Sequence, residues 1–383
     1  MLRYLEEQRI PIDFVTGTSM GAVVGGLYAS GMSASDIDEM TRNIDWSAMF
    51  RDDMSPEELP IRRKIEGYHY LVDVEAGYRR GQIVFPTGFL RGQRLNLLLR
   101  DQTLPVRHIR DFDELPTPFR AVATDLATAE AVVFSEGDIV TAMRASMSVP
   151  GVFNPVDYRD TKLVDGGIAE NLPIPTAREL QPDILIVVDV TTPLGNVNNL
   201  SSPFEVTSQV VNGIMLIQSR RLRQQLGEED LLIDPDLGNY TSASFDDTGN
   251  IIDRGYAAAR RLHDELVQLG VDRETYARYR EERQSRRQAR PVIVDIAVDD
   301  RGQQLEKLVK ARVSQPVGAS LDTAGLEQDL QQLYGMQLFD IVDYHVEPVS
   351  GDDASEPGGV LVIEPVPKAT GPLRFELGFE LLE

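Results

Sequence analysis

Two residues stand in settings that could do chemistry, Ser19 and Asp165. Ser19 lies in Gly17-Thr18-Ser19-Met20-Gly21, after the mostly apolar run Ile12-Asp13-Phe14-Val15 and before the helix-like run 22–29. A strand, a tight turn and a helix, with serine at the apex of G-x-S-x-G, is the arrangement of a nucleophile elbow. Gly17 and Gly21 let the backbone turn sharply. The helix start behind the serine offers backbone N–H groups, Met20 first, to developing negative charge. Asp165 lies in Lys162-Leu163-Val164-Asp165-Gly166-Gly167, where a short apolar strand ends. Strand ends are where open α/β sheets place functional side chains, and Gly166 and Gly167 allow another segment to approach the carboxylate. Taken singly, each motif has a plainer reading. A Gly-Ser turn can simply pack a helix on a sheet, and Asp-Gly-Gly is more often a surface turn. Taken together they supply a nucleophile and a base, the pair that acyl transfer requires.

These residues need strands and helices to hold them, and the composition allows a large core. The chain has 383 residues, 42% of them hydrophobic, which suits two domains. A net charge of −23 argues against nucleic-acid binding. On average it also opposes a strongly anionic lipid surface, which only a local patch could override. The absence of cysteine excludes disulfides, thiolate metal sites and a cysteine nucleophile. The four histidines, His69, His108, His263 and His345, are scattered without ligand spacing, so no metal or cofactor is implied. No signal peptide or apolar stretch of spanning length is present in the sequence.

Along the chain, region 45–110 is rich in aromatics: Trp46, Phe50, Tyr68, Tyr70, Tyr78, Phe85 and Phe89. It reads as an insertion over the active site, either a mouth for an acyl chain or an ordinarily packed subdomain. From 112 to 190 strands and helices alternate, and the apolar run 184–190 reads as a buried parallel strand. Residues 208–225 read as a helix whose stripe of Val210, Val211, Ile214, Met215 and Ile217 faces the core rather than a membrane. The run 273–290 carries seven arginines and reads as a solvated helix or linker at a domain boundary. The pattern then restarts as strand 291–298, helices near 303–311 and 321–333, and strands 341–346 and 359–366. In 373–381 apolar and polar residues alternate, which suits a barrel wall.

The two hallmarks, G-x-S-x-G and D-G-[GA], resemble those of the patatin-like phospholipases. Two further segments are similar to that family: Arg144-Ala145-Ser146-Met147-Ser148-Val149-Pro150-Gly151-Val152-Phe153-Asn154-Pro155, and Pro118-Phe119-Arg120-Ala121-Val122-Ala123-Thr124-Asp125-Leu126. The resemblance spans about residues 1–285. It implies an α/β fold, a patatin-like three-layer sandwich with a mostly parallel central sheet, over residues 1–288. Residues 289–368 resemble a small α+β POTRA domain, and 369–383 the start of an outer-membrane barrel strand. That order is similar to the fused patatin-like outer-membrane proteins of the type Vd secretion class of Gram-negative bacteria.

The resemblance implies a lipid acyl hydrolase of the phospholipase A type, at the outer membrane or cell surface, or secreted. Its partners would be a phospholipid or other lipid ester and a membrane surface. The oligomeric state, homodimer included, stays open. Ser19 would be the nucleophile, Asp165 the base with no histidine, and the Met20 N–H an oxyanion donor. The family's opening strand and its G-G-G-x-[RK]-G loop have no counterpart in the sequence, which begins in the helix that follows them. The expectation is a chain cut at both ends and catalytically impaired. Two other classes remain: a Ser-His-Asp α/β-hydrolase completed by His263, and a non-enzymatic interaction or secretion module that pairs partner strands by edge addition.

Overall fold

The computed structural model describes residues 1–50, 73–79, 82–84, 90–195, 203–349, 358–368 and 374–378. His69, Tyr68, Tyr70, Phe85 and Phe89 lie outside them, and so does part of the region 45–110 read as an acyl mouth. The chain divides into two compact units, Met1–Ala48 with Ile109–Arg287, and Met49–His108 with Gln288–Glu383. This differs from the expected division. Of the aromatic region 45–110, residues Met49–His108 fall with the second unit, while Trp46 belongs to the first.

In the first unit, Phe119–Asp125 is the central strand of a five-stranded sheet. Its Ala121–Thr124 stretch pairs along one edge with Ala131–Phe134. The opposite edge is shared end to end. Val15–Thr18 runs parallel to it up to the pair Thr18 and Val122. Thr161–Asp165 arrives antiparallel from the other direction and stops at the pair Asp165 and Ala123. Val156–Tyr158 then pairs outside Thr161–Asp165. Of these pairings only the first strand's is parallel, so the expected mostly parallel sheet is a mixed one. The cause is local. Tyr158 and Thr161 are joined by the two residues Arg159 and Asp160, with Arg159 at φ 51°. A two-residue hairpin can only join antiparallel strands.

The helices Met20–Ala29 and Ile139–Ser146 pack on this sheet, burying Leu27, Tyr28, Phe119, Met143 and Leu163. Ile186–Val188 is parallel as expected, but it is short, half-buried, and paired with Leu231–Ile233 in a separate two-stranded sheet. The arginine-rich run forms the helix Arg273–Ser285, exposed over most of its length as a solvated helix at a unit boundary would be, with Tyr276 and Arg283 as buried exceptions. The Arg283 guanidinium sits 4.0 Å from the Tyr28 ring centroid and donates to the Tyr28 carbonyl at 2.7 Å. The arginine stem covers apolar surface while its Nη2 stays hydrogen-bonded.

The second unit has the order strand, helix, helix, strand, strand. Val292–Val298 is parallel to Gly358–Pro367, which is antiparallel to Phe339–Pro348. The helix Thr323–Gly335 places Leu326, Leu330 and Leu333 in a core with Ile293, Phe339, Val342 and Leu361. The helix Gln93–Thr103 joins it through Leu97. Gln93 exchanges two hydrogen bonds with the Val342 backbone, at 2.8 and 2.9 Å, and Arg100 grips Asp343 with two more. Gln93 thus acts as a substitute peptide on the outer edge of the Phe339–Pro348 strand, where an open edge would invite another chain. The tail strand Arg374–Gly378 pairs antiparallel with Asp73–Arg79, which pairs in turn with Gln82–Val84.

Candidate active site

The meeting of two strand ends on one edge of Phe119–Asp125 places Ser19 against Asp165. Thr18 and Asp165 face consecutive residues of the central strand, Val122 and Ala123. Ser19, one step past Thr18, donates through Oγ to Asp165 Oδ2 at 2.5 Å. Ser19 has φ 56° and ψ −125°. A non-glycine residue held there costs on the order of 1–3 kcal/mol and persists only where its surroundings enforce it.

Those surroundings can be named. A Cβ on Gly17 would lie 2.4 Å from the Gly21 carbonyl oxygen, so strand and helix touch backbone to backbone across the turn. A Cβ on Gly166 would lie 2.0 Å from the Val122 oxygen, so the Asp-Gly-Gly loop lies directly on the central strand. Gly21, by contrast, is exposed with open space around its Cβ position. The fifth position of the motif is thus held less strictly than the first. Thr18 Oγ1 donates to the Glu170 carbonyl at 2.7 Å, tying the elbow to the short helix Gly167–Glu170.

A third side chain joins the pair, and sequence reasoning assigned it no role. Ser146 is fully buried at the end of its helix. Its Oγ accepts from the Ser19 backbone N–H at 2.8 Å and donates to the Val122 carbonyl at 2.6 Å. Its own carbonyl accepts from the Gly166 N–H, and the Ser148 carbonyl accepts from the Asp165 N–H. The 144–155 block therefore clamps both halves of the site. The family resemblance of that block was the available signal.

Asp165 is completely buried. Its Oδ1 accepts from the Gly167 N–H at 2.8 Å. Burial pushes its carboxyl up from 3.8 to about 6, against the opposing pull of the Ser19 and Gly167 hydrogen bonds. A base near neutrality beside a hydroxyl, at the start of the Met20–Ala29 helix, can take a proton and leave an oxygen nucleophile facing backbone donors.

His263 is not brought to this pair by any described hydrogen bond. Its Nδ1 is 2.7 Å from Tyr4 Oη. Among the described residues no group of three or more His, Asp or Glu is placed to hold a metal ion, and no helix is long and apolar enough to cross a membrane.

Residues 1–178 match the family model described as patatin-like phospholipase. The chain carries a domain of that type. It is 30% identical over 190 residues to an uncharacterized NTE family protein of Mycobacterium tuberculosis, covering 50% of this chain and 44% of the relative. It is 30% identical over 192 residues to patatin-like phospholipase domain-containing protein 7 of Rattus norvegicus, covering 50% of this chain and 12% of that protein. The mouse protein of the same description aligns over 296 residues at 26% identity, covering 71% of this chain and 20% of the relative. The chain thus spans less than half the length of these relatives.

Proposed function

We propose that the first unit is a lipid acyl hydrolase of the phospholipase A type, with Ser19 as nucleophile and Asp165 as base. The observation that carries the reading is the 2.5 Å hydrogen bond from Ser19 Oγ to a fully buried carboxylate. In the first step Asp165 takes the Ser19 proton as Oγ bonds to the ester carbonyl carbon. The Met20 N–H faces the oxyanion. The carbonyl reforms, the ester C–O bond breaks, and the proton passes from Asp165 to the departing alcohol. Water then gives a proton to Asp165 as its oxygen attacks the acyl-serine. Collapse frees the fatty acid and returns the proton to Ser19. No histidine is needed, because burial has already raised the carboxyl into the working range.

The test is hydrolysis of phospholipid vesicles and of a soluble short-chain ester by wild type, Ser19→Ala and Asp165→Asn. Ser19→Ala should abolish both activities, and Asp165→Asn should cost about 10²–10⁴ in rate. Undiminished hydrolysis by Ser19→Ala would remove the proposal. We read the second unit as POTRA-like on its strand and helix order. An outer-membrane location belongs to that reading and is checked by fractionating cells that express the full-length gene.

A further inference from the structure

The helix Pro203–Arg223 does not bury the stripe expected of it. Val211 is buried, and Met215 turns inward onto Gly167, where a Cβ would meet its Cε at 2.9 Å. The other members of the stripe face outward. Val206, Val210, Ile214 and Ile217 are 49, 58, 38 and 67% exposed. Their spacing of four, four and three residues puts them on one side of the helix. Leu194, 48% exposed, borders the same side beside Gly213. Other large exposed hydrophobics are scattered, as is normal on a protein surface, whereas these are contiguous over three turns.

The stripe ends in charge. Arg220 and Arg221 follow it in the last turn, and both are exposed. Neither is in an ion pair among the described residues. Arg223, which turns inward, is bound to Asp189 and Asp234. In a chain of net charge −23, two unpaired cations at the end of an apolar face form a local pattern that a phosphate layer over hydrocarbon would match. A protein partner of ordinary surface composition would not require that order of apolar and cationic zones. The opposite side of the helix rests on Gly167, two residues from Asp165.

We propose that the outward face of Pro203–Arg223 is the surface by which this domain docks on a phospholipid bilayer. Val206, Val210, Ile214 and Ile217 enter the acyl boundary, and Arg220 and Arg221 lie at the level of the phosphates. The choice of a lipid surface as occupant rests on the acyl-hydrolase reading above. Docking there holds the bilayer about one helix diameter, roughly 10 Å, from the side that rests on Gly167.

The experiment separates docking from catalysis. The full chain carrying Ser19→Ala is floated with phosphatidylcholine vesicles, with and without admixed phosphatidylglycerol. Adding Ile217→Asp, or the milder pair Ile214→Ser and Ile217→Ser, is expected to lower vesicle binding at least about tenfold. Arg220→Gln and Arg221→Gln should each cost about fivefold, and only on the vesicles with anionic lipid at low salt. With Ser19 restored, the Ile217→Asp chain should lose vesicle hydrolysis and keep the soluble ester rate. All four positions are exposed, so unchanged unfolding midpoints confirm that the fold is intact. Absence of vesicle binding by the parent, or equal binding by parent and Ile217→Asp, overturns the proposal. So does a dimer in sedimentation that Ile217→Asp converts to monomer, because the face then belongs to a second copy. If binding falls as expected but no ester is hydrolysed in a Ser19-dependent way, docking stands and the acyl-hydrolase reading falls.

Discussion

Replacing Asp165 with asparagine should move stability and activity in opposite directions. The carboxyl is fully buried, and burial raises it from 3.8 to about 6. Each factor of ten in acidity corresponds to about 1.4 kcal/mol, so the ionised group destabilises the folded chain by about 3 kcal/mol near neutral pH. Asparagine has the same shape. Its Oδ1 can still accept from the Gly167 N–H, and its Nδ2 can donate to Ser19 Oγ, so both hydrogen bonds survive in altered polarity. The folded-state value lies above the unfolded one, so this carboxyl favours folding most when protonated. Its contribution is complete below about pH 4 and is lost as the pH rises through about 6. The Asp165→Asn variant should therefore match wild type near pH 4 and exceed it by up to about 3 kcal/mol by about pH 8. Urea unfolding of both chains across that range measures the gap. Wild-type ester hydrolysis should fall tenfold per pH step below about 6, as the base protonates, while the variant stays near background throughout. A variant less stable than wild type at the alkaline end, or a gap that does not change with pH, would show that burial of charge is not what raises this carboxyl.

Ser146→Ala removes the partner of both the Ser19 N–H and the Val122 carbonyl. It should cost about 2–4 kcal/mol by leaving two polar groups unpaired, and it should lower the hydrolysis rate because the strained elbow can relax; chemical unfolding and ester assays read the two effects. Gly17→Ala should yield misfolded or inactive protein, since its Cβ would strike the Gly21 backbone. Gly21→Ala, in a helix and in open space, should fold as well as wild type by thermal melting. Arg283→Ala should destabilise the first unit by about 2–4 kcal/mol in urea, and Arg283→Lys should not restore it, because a lysine cannot both stack on Tyr28 and reach its carbonyl as the planar fork does.

The elbow and the Asp-Gly-Gly loop were legible in the sequence because both are written in glycines, and a glycine forced by close backbone approach leaves a local mark. The strand and helix order of the second unit was legible because hydrophobic period depends only on near neighbours. What escaped depends on distant partners. Ser146 meets Ser19 across 127 positions, and a buried serine has no periodic signature. Most arginines of the 273–290 run are solvated as expected, but Arg283 is buried under a cover, Tyr28 and its carbonyl, that lies 255 positions away. The stripe on Pro203–Arg223 was visible as a stripe, but period alone does not say which half of it finds a neighbour. The antiparallel strands were missed because alternation of strand and helix was read through, while the hairpin at Arg159 and Asp160 carries no glycine to announce it.

The head-to-head meeting of two strands on one edge makes Phe119–Asp125 the gauge of the site. Ser19 and Asp165 are 146 positions apart along the chain. Across the gauge they are separated by a single register step, from Val122 to Ala123, a rise of about 3.3 Å. The reacting distance is therefore indifferent to how much chain is looped out between the two residues. The whole stretch Met49–His108 lies between them in sequence, yet it belongs to the other compact unit. Lengthening or replacing such a loop leaves the gauge untouched. One residue inserted into Phe119–Asp125 would do the reverse, because it would change the step itself and turn every following side chain to the other face. Tolerance to insertion should thus be wide in the loops between Ser19 and Asp165 and vanish within Phe119–Asp125, as within the clamping 146–148 turn and Thr161–Asp165.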